Sequence, residues 1–284
     1  DLYHLRSVSS ILNMYDFQPS ELILNSDHSI YHLGIPKAVL SKQIITVGDP
    51  KRIDLLARYF DKIHFDFQNR EFRTMTAEIS SNLISVISTG IGTDNIDIVI
   101  NEVDALFNID FESRKKTAET KQLQFFRLGT SGIVGNRFSP GDIVVSEQAY
   151  GFDALMRFYQ TDVISFHETK GIPYYHVESD TSLFQDFLVF PSAKTMTMPG
   201  FYGPQNRTLR IPVHAQFKFQ AIVKQLEIDN LEMETSGIYA LSKALGHQAI
   251  SVNALLANRN TGQFHPRPDQ VVRKMIEKSL ELIV

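Results

Sequence analysis

Apolar, β-branched runs recur along this chain, and each gives way to Gly, Thr or Asp. They are IITV (44–47), LISVIS (83–88), FFRL (125–128), DIVVS (142–146) and AISVNALL (249–256). Near-continuous apolar stretches of this length predict strands buried on both faces. Between several of them the apolar positions change to helical spacing: Ile53, Leu56, Ala57 and Phe60; Ile96, Ile100, Val103 and Phe107; Val272, Met275, Ile276 and Ile283. Strands alternating with amphipathic helices predict α/β layering. No repeat of fixed period and no low-complexity linker divides the pattern, so one domain is expected over residues 31–284. Two segments look like additions: a polar N-terminal extension, residues 1–30, and FESRKKTAETKQ (111–122), expected as a solvated loop or helix extension.

Composition narrows the partners. A hydrophobic share of 43% supports a substantial core, and a formal charge of −4 gives no pull toward nucleic acid or an anionic membrane. No apolar run has the length of a bilayer span, no charged-then-apolar leader opens the chain, and the absence of cysteine excludes disulfides and thiolate metal sites. The expectation is a cytoplasmic protein acting on a small molecule.

The chemistry gathers at strand ends. In ITVGDPKR the strand stops at Gly48, the chain turns at Asp49 and Pro50, and Arg52 stands at the start of a helix. Turn N–H groups, a helix dipole and a guanidinium together make an anion site, although an arginine there can equally be solvated or ion-paired. In FFRLGTSG, Arg127 lies inside an apolar strand, where a charge needs a partner, and Thr130 follows in a Gly-flanked turn. STGIGTDN places a glycine turn between strand and helix, without the P-loop lysine or the full dinucleotide spacing. In an open α/β sheet these turns share the edge where ligands bind. NLEMETSGIYAL adds Glu232, Met233 and Glu234 before a helix; Glu232 alone reads equally as a residue favouring the dipole, whereas a carboxylate such as Glu234 can accept two vicinal hydroxyls of a ribose. FYGPQNR (201–207) sets Gln205 and Arg207 behind an aromatic and a turn.

Taken in order, YHLG, VGDPKR, NREF, STGIG, FFRLGTSG, PGDIVVSEQA, FYGPQNR, LEMETSGIYAL and LLANR resemble the uridine phosphorylase branch of the nucleoside phosphorylase family, from about Tyr31 to the C-terminus. That resemblance implies a three-layer α-β-α sandwich around a mixed, partly barrel-like sheet. It implies phosphorolysis of uridine, and of deoxyuridine, in pyrimidine salvage. Inorganic phosphate is then the co-substrate, held by Gly48, Arg52, Arg127 and Thr130; Glu234, Met233 and Glu232 hold the ribose; Phe201, Gln205 and Arg207 take the uracil, with Arg259 in support. It further implies no organic cofactor and a homo-oligomer, a dimer at least and a hexamer in bacterial-type members, because His32 and Arg70 of one subunit complete the neighbour's ribose and phosphate sites. Some members hold a monovalent cation such as K+ at positions matching Glu71, Ile91 and Asn95.

Two departures from the family are visible: Gly203-Pro204 stands where Pro-Gly is common, and Asp94-Asn95 where small or hydroxyl residues are common. Purine-specific relatives carry an Asp after the penultimate strand; NALLANRNTG has none and offers Asn258 and Arg259 instead, which favours the pyrimidine. A noncatalytic nucleoside binder would not need both the phosphate arginines and the base clamp. A hydrolytic nucleosidase would have no use for Arg52 and Arg127 together.

Overall fold

A computed structural model describes residues 17–284. Its organising strand is β1 (Gln43–Val47), flanked in parallel by β4 (Asn82–Ser88) and β7 (Gln124–Ile133). Side chains of β1 alternate between two apolar layers, which is why its sequence is continuously hydrophobic. Ile44 faces α2 (Thr93–Asn108) and α5 (Thr235–Ala244), packing in one cluster with Ile96, Ile100, Val103 and Tyr239. Ile45 and Val47 face α1 (Lys51–Leu56) and α6 (Pro268–Ile283), in a second cluster with Ile53, Leu56, Met275 and Ile276. Pro268 opens α6 at a position where its missing N–H costs nothing, and Asp269 in the first turn complements the dipole. The result is the expected three layers, helices on both faces of a sheet.

The sheet is mixed and folds partly onto itself. Its order is β2 (Lys62–Asn69), β3 (Phe72–Ile79), β4, β1, β7, β12 (Asn230–Glu232), β11 (Ser192–Thr197), β8 (Ile143–Gly151), β10 (Ile172–Glu178) and β9 (Ser165–Thr169). The long β13 (Gln248–Asn258) pairs with both β7 and β8, so β7, β12, β11, β8 and β13 close a ring. The pairing of β13 with β7 shifts register between Leu255 and Ala257, a bulge that bends the strand where the ring must turn. Outside the ring, α4 (Phe219–Leu226) buries Phe219, Ile222 and Val223 against Met196, Met198 and Leu231, and the short α3 (Thr181–Asp186) is capped by the Asp180 carboxylate, which accepts from Leu183 N–H.

Several expectations change in detail. The helix read over Ile53 to Phe60 ends at Leu56; a 3-10 turn covers Ala57–Tyr59, and Phe60 is already extended as the chain enters β2. The 111–122 stretch is a largely exposed loop, as one of the two expectations had it, rather than a helix extension, and it is tied down. Its Lys115–Lys116 segment (β6) pairs with Ile109–Asp110 (β5), and Arg114 donates to the carbonyls of Phe17, Gln18 and Leu22. That clasp seats residues 17–30 on the domain, with Leu22 and Ile30 buried in the same cluster as Ile100; the rest of the 1–30 extension, residues 1–16, lies outside the described residues.

Gly135 generates a direct check on packing. A Cβ there would lie 2.7 Å from the Ile228 carbonyl oxygen and 3.0 Å from Asp229 Cα, both backbone atoms that cannot swing aside. Gly135→Ala should cost about 1–3 kcal/mol as overpacking, read as a lower urea midpoint with an unchanged m-value.

Candidate active site

Strand ends on one edge of the sheet converge on a cavity of about 490 Å³ lined by Gly48, Arg52, Arg127, Thr130, Phe201, Gln205, Arg207, Glu232, Met233 and Glu234. Residues far apart in sequence meet there because β1, β7 and β12 are neighbours in the sheet. Leu231, Leu256, Ala257 and Phe264 add an apolar wall that sequence reasoning missed, since nothing marks them apart from core residues.

Arg127 is the centre of the arrangement. It is 6% exposed and uses both ends of its guanidinium. Nη2 donates to Glu234 Oε2 at 2.6 Å and lies 2.9 Å from Glu232 Oε2, while Nη1 donates to Asn253 Oδ1 at 2.8 Å and Ser251 Oγ at 3.4 Å. Burial works against this charge, but the Glu232 and Glu234 carboxylates outweigh it and hold the guanidinium above its ordinary pKa. A Cβ on Gly129 would fall 1.9 Å from Arg127 Nη1, so glycine is what makes room for the guanidinium beside the strand. Asn253 carried a signal in the sequence: an amide inside the apolar run AISVNALL needs a buried partner.

Arg52 reaches the same end of the cavity from the first helix, and its Nη1 donates to the Leu128 carbonyl at 3.1 Å. Burial first, then the nearby Arg127 charge, lowers its pKa, against the pull of Asp49 and Glu234. Two guanidiniums close enough to repel are stabilised by an anion that both can reach.

The two glutamates have different surroundings. Glu234 accepts from the Gly92 N–H at 2.8 Å through Oε1 and from Arg127 through Oε2. The STGIG turn therefore holds a carboxylate, and Gly92, at φ 95°, has a backbone conformation only glycine adopts readily. Burial, offset in part by Arg127 and reinforced by Glu232, raises the Glu234 pKa. Glu232, expected among the ribose ligands, has both oxygens engaged by protein: Oε1 accepts from the Thr197 hydroxyl at 2.6 Å, and Oε2 accepts from the backbone N–H groups of Glu234 and Thr235 at 2.8 and 2.9 Å besides facing Arg127. It closes the N-terminus of α5 and anchors the arginine.

At the opposite end, Gln205 is buried and its side-chain oxygen accepts from Arg207 Nη1. Arg207 Nη1 also donates to the Phe201 carbonyl at 2.6 Å, and its guanidinium stacks 3.8 Å from the Phe201 ring centroid. Burial and the neighbouring Arg259 charge push the Arg207 pKa down to about 10. Arg259 itself is absent from the lining: its Nη1 donates to the Gln205 carbonyl at 3.0 Å and its Nη2 to that of Asn206 at 3.4 Å, bracing the loop from behind. Asn206 takes a left-handed conformation that closes the turn.

Of the remaining expected residues, Ile91 lines the cavity and His32, Arg70, Glu71 and Asn95 do not. His32 pairs through Nδ1 with Glu102 at 2.6 Å, its carbonyl accepts from Asn69, and the Arg70 guanidinium lies 5.3 Å from the Tyr31 ring centroid. His32 and Arg70 thus share a patch but do not line the cavity. Glu71 and Asn95 meet at Gly90, where a Cβ would lie 2.3 Å from Asn95 Nδ2 and 3.4 Å from Glu71 Cγ, next to Ile91. Among the described residues no group of three His, Cys, Asp or Glu side chains converges as a metal site. A second cavity, of about 480 Å³, lies between residues 17–32 and α2; its charged lining of Glu21, His32, Glu102, Asp104 and Lys116 lacks a cation pair for an oxyanion.

The phosphorylase superfamily model matches residues 42–284, spanning every cavity residue. The chain belongs to the phosphorylase superfamily. It is 25% identical over 274 residues to a uridine phosphorylase of Haemophilus influenzae, covering 90% of this chain and 96% of the relative. It is 25% identical over 236 residues to a uridine phosphorylase of Thermococcus kodakarensis, covering 82% and 79%. The fold is that of a Trypanosoma brucei nucleoside phosphorylase whose structure is described as showing uridine phosphorylase activity, with a TM-score of 0.79, 24% identity, and 92% and 99% of the two chains covered.

Replacing Arg127 by Met should expose how much this superfamily site relies on it. The change strands two buried carboxylates, a loss of about 3–5 kcal/mol. Glu234 already titrates high, and loss of the arginine raises it further. The penalty is absent where the carboxylate is protonated in both folded and unfolded protein, and grows as pH rises until the folded-state pKa is passed. Urea unfolding should accordingly show a larger deficit against wild type at pH 8 than at pH 5.

Proposed function

We propose that this protein cleaves uridine by phosphorolysis, giving uracil and ribose 1-phosphate, as a pentosyltransferase of pyrimidine salvage. The observation that carries this reading is one cavity lined by the guanidiniums Arg52 and Arg127, by Gln205 and Arg207, and by Glu234 and Met233. The relatives named uridine phosphorylase support the same base class.

The reaction follows from that layout. Phosphate, held by Arg52, Arg127, the Thr130 hydroxyl and the turn at Gly48, presents an oxygen to C1′ of the ribose. As that C–O bond forms the C1′–N1 bond breaks, and its electron pair leaves with the base. Charge spreads over the uracil carbonyls, where the Gln205 amide and the Arg207 guanidinium donate; they bind the departing anion better than neutral uridine. The leaving uracil then takes a proton from solvent. Glu234 accepts the ribose hydroxyls, Met233 lies along the apolar sugar face, and the Phe201 ring stacks on the base. No side-chain nucleophile is needed, since positioning and charge complementarity at both ends supply the rate. Deoxyuridine fits the same base contacts.

Two arginine ends and a carboxylate also favour phosphorolysis over hydrolysis, because water needs no cationic cradle. The lack of an Asp in NALLANRNTG favours a pyrimidine over a purine. His32 and Arg70, absent from the lining of their own chain's cavity, act in this reading on the site of a neighbouring copy, which makes a homodimer the smallest complete unit. A monovalent cation at Glu71, Asn95 and the Ile91 carbonyl would meet oxygen donors of the kind it prefers; no step of the reaction passes through it.

Incubating the protein with uridine should release uracil only when phosphate is present, and inosine should be a poor substrate; phosphate-independent release or a preference for inosine overturns the reading. Arg207→Ala should lower kcat for uridine by about 10²–10³, the cost of removing one preorganised donor to a developing anion, while KM for phosphate stays near its wild-type value.

A further inference from the structure

Thr197 ends β11 with its side chain fully buried, directly opposite Glu232 in the parallel pairing of β11 with β12. Its hydroxyl donates to Glu232 Oε1 at 2.6 Å and accepts from the Ser236 N–H at 3.0 Å. Ser236 in turn has its own hydroxyl 2.9 Å from the Tyr175 hydroxyl and donates to Asp153 at 3.3 Å. The one hydroxyl thus joins the first turn of α5 to the carboxylate that faces Arg127. Glu232 Oε2 is fixed by two backbone N–H groups and by the arginine, so among the described residues Thr197 is what fixes the other oxygen and hence the plane of the carboxylate. Arg127 Nη2 is shared between Glu232 and Glu234, and tilting one carboxylate changes where the guanidinium points.

We propose that the Thr197 hydroxyl is a positioning group for the oxyanion end of the site, acting through Glu232 on Arg127. This deepens the reading above and rests on it for the identity of the oxyanion, phosphate. Thr197 touches no cavity surface itself. Removing its hydroxyl leaves Glu232 Oε1 without a donor and the Ser236 N–H without an acceptor, both in buried positions where water does not substitute. The carboxylate is then free to turn, and Arg127 follows it away from the phosphate. The base clamp at Gln205 and Arg207 lies on the loop that leaves β11, but its hydrogen bonds run to Phe201, Tyr202 and Arg259 rather than to Thr197 or Glu232, so it keeps its geometry.

The test compares wild type, Thr197→Val, which keeps shape and strand preference, and Thr197→Ser, which keeps the hydroxyl. Inorganic phosphate and uracil affinities are measured by titration calorimetry, with thermal unfolding on each protein. Thr197→Val should bind phosphate about tenfold more weakly, the scale of one buried hydrogen bond lost, with uracil affinity unchanged. Thr197→Ser should return phosphate affinity to near wild type. In steady state the valine variant should raise KM for phosphate and leave KM for uridine in place. Wild-type phosphate affinity in the valine variant, equal weakening of phosphate and uracil, a serine variant as impaired as the valine one, or a wild type that binds no phosphate would each overturn the proposal. A wild type that binds phosphate in the predicted way but releases no uracil from uridine would sink the proposed reaction while leaving the positioning role standing.

Discussion

A guanidinium buried in the middle of a sheet is the constraint on which this molecule is built. Arg127 cannot remain charged in a dry interior without partners, and the partners come from two other segments: Glu232 and Glu234 at the end of β12, and Asn253 and Ser251 on β13. Gly92, at the start of α2, enters through its bond to Glu234. The partners lie on two other elements and one of them, Glu234, is tied to a third, so satisfying the charge fixes how β7, β12, β13 and the β4–α2 turn sit relative to one another. A buried ion pair is a weak source of net stability but a strong source of geometric definition when every donor and acceptor is used.

The partly closed sheet is the means by which those elements meet. Closing β7, β12, β11, β8 and β13 into a ring brings the end of β12 beside the end of β7, while β1 extends the sheet outward and adds Gly48 and Arg52 at the same edge. Ligands in open α/β sheets sit at this edge because the turns there expose N–H groups that the strands no longer use. Here one of those N–H groups, on Gly92, serves Glu234, and those of Glu234 and Thr235 serve Glu232. Closing the helix N-terminus with a carboxylate leaves the arginines as the principal attraction for an oxyanion.

Both ends of the cavity hold cations under strain. Burial and a like charge lower the pKa of Arg52 beside Arg127 and of Arg207 beside Arg259. In the proposed reaction an anion relieves that cost at each, the phosphate at Arg52 and the departing pyrimidine at Arg207. The charges are placed before the substrate binds, so little reorganisation is left for the moment of bond cleavage, which is the condition under which electrostatic stabilisation is largest.

Much of this was legible in the chain. The apolar runs identified β1, β4, β7, β8 and β13 because burial on both faces keeps such strands largely apolar. The ordered motifs pointed to Arg52, Arg127, Glu234, Gln205 and Arg207, all of which line one cavity. The β2–β3 meander escaped notice because β2 lies exposed at the sheet edge and mixes polar with apolar positions, and because the β3–β4 turn uses Ser80 and Ser81 at positive φ where glycine or asparagine would have announced a hairpin. Sequence left Glu232 between supporting the ribose shell and favouring a helix dipole; only the fold shows Thr197 and two backbone N–H groups on its oxygens and Arg127 beside it. Residue type and local spacing determined which groups could do the chemistry. Which of them touch each other was decided by strand pairing between segments as far apart as Arg127 and Asn253, since hydrogen-bond partnership over that distance is a property of the closed sheet and has no local signature.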